Sequence, residues 1–149
     1  MDCKEHDLSK LAAIEAYEIG TLQFASPVYV IIPTVKSDKL VPEGASGTKI
    51  SFIRDTAKCV DKSSVSVYGY THEVSLDWET EADDADMYNL LIKLQNTPHE
   101  FVLTYFGGLR RVIRTDYAPY KFMFNDDNGT MKCSATLVNG QGLTLVNLS

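Results

Sequence analysis

The stretch Tyr68-Gly69-Tyr70-Thr71-His72-Glu73-Val74-Ser75-Leu76-Asp77-Trp78-Glu79 alternates without a break. Tyr68, Tyr70, His72, Val74, Leu76 and Trp78 fall on one side, and Gly69, Thr71, Glu73, Ser75, Asp77 and Glu79 on the other. A period of two over this length marks a long antiparallel strand with one face in the core and one toward water. A helix would need its apolar residues three and four apart. The fold is therefore organised around a sheet.

Downstream the period changes. Met87, Leu90, Leu91 and Leu94 recur at helical spacing, with Tyr88 and Ile92 widening the stripe. This predicts one helix over about residues 81–95, with Thr80 as N-cap, Asp83 completing a weak capping box, and Asn96 and Pro98 as the stop. Two hairpins follow. Phe101–Phe106 and Leu109–Arg114 flank Gly107-Gly108, read as a two-residue loop with positive φ at both positions. Tyr120–Phe124 and Met131–Val138 flank Asp126-Asp127-Asn128-Gly129, whose Asn-Gly pair signals a tight turn. Leu143–Val146 adds an edge strand.

Upstream, Ala13–Ile19, Val28–Ile32 and Lys49–Arg54 read as strands, and Ser63-Ser64 as part of a polar turn. Residues 34–48 combine Gly, Ser, Pro and charge into a long exposed loop, and residues 1–12 into a flexible arm. The expected fold is α+β, mainly β: an antiparallel sandwich or partial barrel with one flanking helix. At 149 residues a single domain, 1–149, is expected.

Composition narrows the function. The formal charge of −6 disfavours sequence-specific nucleic-acid binding, which needs a basic surface. No apolar run is long enough to span a bilayer, and the start Met1-Asp2-Cys3-Lys4-Glu5-His6-Asp7 is too polar for a signal peptide, so a soluble protein made and kept inside a cell is expected. Cys3, Cys59 and Cys133 have neither metal nor disulfide spacing. His6, His72 and His99 form no zinc motif, and no nucleophile has a base beside it. No enzymatic activity, cofactor or metal is expected.

Two charge clusters remain. Asp77, Glu79, Glu81, Asp83, Asp84 and Asp86 form an acidic run, weighed as a calcium site but read as a solvated helix entrance. Arg110, Arg111, Arg114 and Lys121 form a basic one, opposed only by Asp116. Opposite clusters on one small domain can dock copies head-to-tail into rings or tubes. Tyr68, Tyr70 and Trp78 suggest a different class, a monomeric module with an aromatic platform for a small ligand or carbohydrate.

The stretch Gly47–Lys58 (Gly-Thr-Lys-Ile-Ser-Phe-Ile-Arg-Asp-Thr-Ala-Lys) precedes a polar Asp61–Ser64 segment, the alternating strand and the helix. Then come Pro98-His99-Glu100-Phe101-Val102, the Pro119-Tyr120-Lys121-Phe122 element and an Asn-Gly turn. In this order the chain resembles small tail and neck proteins of phages and prophages of gut Bacteroidetes, from Thr48 to Val138. It departs from them at Asn139-Gly140-Gln141-Gly142, where a glycine between aromatic residues is expected. The resemblance implies a non-enzymatic virion subunit, of tail-tube or tail-terminator type, assembled in the host cytoplasm with copies of itself and other tail or neck proteins. Its expected subunit contacts are Lys36, Lys39, Leu40 and Glu43 in the loop, Asp83, Asp84 and Asp86 at the helix entrance, and Arg110, Arg111 and Arg114 opposite.

Overall fold

The computed structural model describes residues 10–22, 34–35, 40–45, 47–113, 120–139 and 145–148. The predicted strand Val28–Ile32 lies outside them, as do Cys3, His6, Lys36, Lys39, Arg114 and Asp116. The elements are β1 (Leu11–Glu18), β2 (Thr34–Val35), β3 (Thr48–Ile50), β4 (Lys58–Ser66), β5 (Gly69–Glu81), α1 (Ala85–Asn96), β6 (His99–Tyr105), β7 (Arg110–Ile113), β8 (Tyr120–Asp127), β9 (Thr130–Asn139) and β10 (Leu145–Leu148). They form two sheets, β4-β5-β9-β8 and β2-β10-β7-β6-β1-β3, antiparallel throughout except for the short β2–β10 pairing. The chain is mainly β with a single helix among the described residues, as the alternation predicts.

The sheets face each other across one core. Val74, Leu76 and Trp78 of β5 and Met131, Cys133 and Ala135 of β9 meet Phe101, Leu103 and Ile113 of the larger sheet. Trp78 stacks on Phe122 (5.6 Å between centroids) and leans on Phe101 (6.3 Å). Burying side chains of this size contributes about 1.5–3 kcal/mol each. The inward face of β5 is thus the predicted one from Val74 onward; the side chains of Tyr70 and His72 are outside the description.

Helix α1 closes one flank between the two sheets. Met87, Leu90, Leu91 and Leu94 are buried, while Tyr88 and Ile92 stay partly exposed. The Ser51 N–H donates to Met87 Sδ (3.2 Å) and Lys93 pairs with Glu18 of β1 (2.9 Å), tying the helix to the larger sheet. On the other side the Tyr120 hydroxyl donates to the Leu94 carbonyl (2.8 Å), tying it to β8. The N-cap is Asp84, whose carboxylate accepts from the Met87 N–H (3.1 Å), and not Thr80. Thr80 is 2% exposed because β5 keeps its alternation through Glu81 and turns Thr80 inward.

Other local expectations are corrected. Ser63-Ser64 is part of strand β4, which pairs with β5 from Lys58↔Asp77 to Ser66↔Gly69. The predicted long exposed loop is packed where described: Thr34–Val35 is a strand, and Leu40 is 1% exposed against Val102, Val112 and Leu148 on the second face of the larger sheet. Leu11 and Ala12, placed in the predicted arm, belong to β1, and residues 1–9 lie outside the described residues. The C-terminal strand sits between β7 and β2 and is not an edge. At Gly107-Gly108 only Gly108 has positive φ (+92°); its N–H donates to the Tyr105 carbonyl and Tyr105 N–H to the Leu109 carbonyl, a three-residue loop. Asn128 (φ +57°) and Gly129 (φ +91°) form the expected two-residue turn, with Asp127 opposite Thr130.

Candidate functional site

The structure separates residues that the sequence groups. Arg110 and Arg111 are neighbours on β7 and so point to opposite faces of its sheet. Arg111 lies opposite Leu103, on the inter-sheet side, with its guanidinium 5.8 Å above the Tyr105 ring. There it meets Cys59 of β4. Burial pushes the Tyr105 hydroxyl and the Cys59 thiol each up to about 12, with Arg111 pulling both the other way. Arg110 is opposite Thr104 and Leu148 on the far face, near Tyr17, whose pKa burial raises, seconded by Glu15 and opposed by Arg110. Both arginines are half-buried. They do not form one basic surface patch.

The acidic run divides as well. Asp77 and Glu79 lie on the outward face of β5, opposite Lys58 of β4 and Lys132 of β9 respectively. Lys132 also pairs with Asp127 (3.0 Å), and its pKa is raised first by that hydrogen bond, with Glu79 adding a smaller push. Asp83 and Asp86 are exposed at the helix entrance, and Asp84 is committed to the cap. No group of three His, Cys, Asp or Glu side chains among the described residues is arranged to hold a metal ion. An open groove of about 450 Å³ lies over this outward face, bordered by Asp55, Lys58, Asp77, Glu79, Met123 and Lys132. Its charges are mixed in sign.

Of the loop residues, Leu40 is buried and Glu43 exposed. The aromatic platform is not assembled: Trp78 is 1% exposed in the core, whereas Tyr68 is 97% exposed at the β4–β5 turn, about 33 Å away along the strand. His99 is buried, its Nδ1–H donating to the Thr97 carbonyl (2.7 Å) at the end of α1, a structural role.

What the sequence reading misses is β4 and the turn that follows it. Val67 and Tyr68 form a reversal that ends on Gly69 (φ +113°), and Val65, Val67 and Tyr68 are apolar yet exposed. Among the described residues β9 pairs with β5 only as far as His72, and from there the hairpin is paired between β4 and β5. Gly69 after two residues of turn, following Val65, is the signal in the sequence that marks it.

The second feature is the edges. Among the described residues no strand pairs with the outer side of β4 or of β8. These two edges run in opposite directions, because each of the three pairings between them is antiparallel. Comparison with protein-family models, curated proteins and solved structures finds nothing that matches this chain.

Proposed function

We propose that this chain is a non-enzymatic structural subunit of a phage or prophage tail or neck, which joins with copies of itself into a ring or tube. The observation that carries the reading is the pair of opposed edges on the four-stranded sheet. When β8 of one copy lies beside β4 of the next, strand directions continue to alternate, and main-chain hydrogen bonds extend the sheet from copy to copy. Repetition of one such contact closes a ring when the rotation per copy divides a full turn.

The charges on β4 weigh against three of the registers open to a two-fold dimer. Pairing β4 with itself about Asp61 sets Asp61 against Asp61, and about Lys62 sets Lys62 against Lys62. Centring on Val60 sets Lys58 against Lys62. Like charges directly opposite are destabilising, and such edge charges commonly prevent stray pairing. Pairing with β8 does not set β4 against its own charges. The outward groove with its paired Lys58/Asp77 and Lys132/Glu79 rows would then lie on one face of the continuous sheet.

Sedimentation velocity over a range of protein concentrations, at low and moderate salt, tests the reading. The expected result is growth by mass action to one discrete large species. A monomer at every concentration up to the solubility limit contradicts it, and leaves a monomeric binding module as the better account.

A further inference from the structure

The turn between β8 and β9 carries a chemically reactive pair. In Asn128-Gly129 a side-chain amide precedes a backbone nitrogen whose own residue has no side chain to shield it. Asp126, Asp127, Asn128 and Gly129 are all exposed. Apart from its two chain neighbours, nothing lies within 4 Å of the point where a Gly129 side chain would begin. Water and hydroxide therefore reach the pair.

An Asn-Gly pair can lose ammonia without an enzyme. The Gly129 nitrogen gives up its proton and attacks Asn128 Cγ. The N–Cγ bond forms, the Cγ–Nδ2 bond breaks, and the amide nitrogen departs as ammonia, carrying a proton equivalent to the one lost. The cyclic imide then adds one water. Opening at Cγ leaves aspartate at position 128, opening at the backbone carbonyl leaves isoaspartate, and neither route needs an oxidant or a reductant.

The fold engages the attacking residue at both of its polar groups. The Gly129 N–H donates to Asp126 Oδ1 (2.9 Å), and the Gly129 carbonyl accepts from the Ala82 N–H (3.1 Å). Asn128 (φ +57°) and Gly129 (φ +91°) keep the left-handed backbone of the tight turn. Removing the proton from that nitrogen sets a negative charge directly against a carboxylate, and like charges in contact disfavour ionisation. We infer that Asn128 is a latent site of spontaneous deamidation which the hydrogen bond from Gly129 to Asp126 holds in check, so that conversion follows opening of the turn. The product places a further carboxylate beside Asp126 and Asp127, next to the ion pair of Asp127 with Lys132 (3.0 Å). Isoaspartate also adds one carbon to the backbone of a two-residue turn. The inference concerns the chain's own chemistry and stands apart from the assembly reading.

Site-resolved mass spectrometry of the full chain, incubated at mildly alkaline pH, tests this. The second Asn-Gly pair of the chain, Asn139-Gly140, serves as the internal reference. In native wild type, Asn128 is expected to convert roughly tenfold more slowly than in the same chain unfolded in guanidinium chloride. Asp126→Ala removes a hydrogen bond to a charged group and is expected to speed native conversion at Asn128 roughly tenfold, with Asn139 unchanged. Asp126→Ser keeps an acceptor within reach of the same N–H and is expected to restore most of the protection. Equal rates in native and unfolded wild type overturn the inference, as does an unchanged rate in Asp126→Ala. A slower rate in that variant makes the carboxylate a base that promotes attack, the opposite role. A rise shared equally by Asn139 also overturns it, because general opening of the chain and not this one bond then sets the rate.

Discussion

Trp78 is where the packing makes its sharpest energetic claim. It is the only tryptophan of the chain, 1% exposed, stacked on Phe122 and leaning on Phe101, and its indole Nε1–H is buried without a hydrogen-bond partner. Replacing it by Phe removes two carbons from the core, worth about 0.8 kcal/mol each. It also removes the unsatisfied N–H, whose burial costs about 1–3 kcal/mol. The terms oppose each other and are of similar size, so Trp78→Phe is expected to change stability by less than about 1.5 kcal/mol. Trp78→Ala has no such offset and is expected to cost about 3–5 kcal/mol. For a chain of this size that is a drop in Tm of roughly 10–15 °C, against a few degrees for the Phe variant. Urea unfolding followed by far-UV circular dichroism measures both, since the fluorescent residue itself is altered. If Trp78→Phe costs as much as Trp78→Ala, the indole N–H has a strong partner and the described packing around it is wrong.

Four further outcomes follow from individual contacts. Gly129→Ala places a Cβ at φ +91° in the tight turn and is expected to cost about 1–2 kcal/mol by thermal denaturation; no loss would mean that the turn is of another type. Gly47→Ala brings a Cβ to 2.6–2.9 Å from the Tyr17 ring, an overpacking expected to cost about 1–3 kcal/mol, and an unchanged Tm would show that the ring is not there. Asp84→Ala removes the cap of α1 and is expected to cost about 1 kcal/mol, largely restored by Asn; equal losses from both would assign the effect to something other than capping. Cys59, Cys133, Tyr105 and Tyr120 are each pushed up to about 12 by burial. Their folded pKa values lie above the unfolded ones, so the stability linked to them is whole below pH 9 and is lost as pH rises toward 12. A flat melting curve across that range, or ready labelling of both thiols by Ellman's reagent in native protein at pH 8, would contradict this.

The parts of the fold that the sequence made legible share a strong local signal. The alternation in β5, the stripe Met87–Leu94 and the pair Asn128-Gly129 each specify an element with no help from the rest of the chain. Strand β4 was hidden because Lys58–Ser66 is rich in Ser, Lys and Asp, residues that suit turns; its strand state comes from nine residues of pairing with β5. The cap was misplaced by four residues for a related reason. Sheet pairing with β9 extends β5 to Glu81 and consumes Thr80, so the helix starts later, at the next Asp able to cap it.

The expected contact surface fared differently. Summing Arg110 and Arg111 into one patch ignored the period of two that the same residues, read as a strand, impose. Leu40 reads as a loop residue among lysines, yet the second face of the larger sheet is apolar at Val102 and Val112 and needs a cover, which Leu40 helps to provide. Edges are products of topology. No window of sequence reports that β4 and β8 are the outer strands of a sheet among the described residues.

The central claim is that this chain assembles with itself by a repeated head-to-tail contact, and negative-stain electron microscopy of the concentrated, purified protein at low and moderate salt tests it most directly. The account predicts rings or tubes of a single uniform diameter. A field of separate monomers, or of compact two-fold dimers that grow no further, would contradict it.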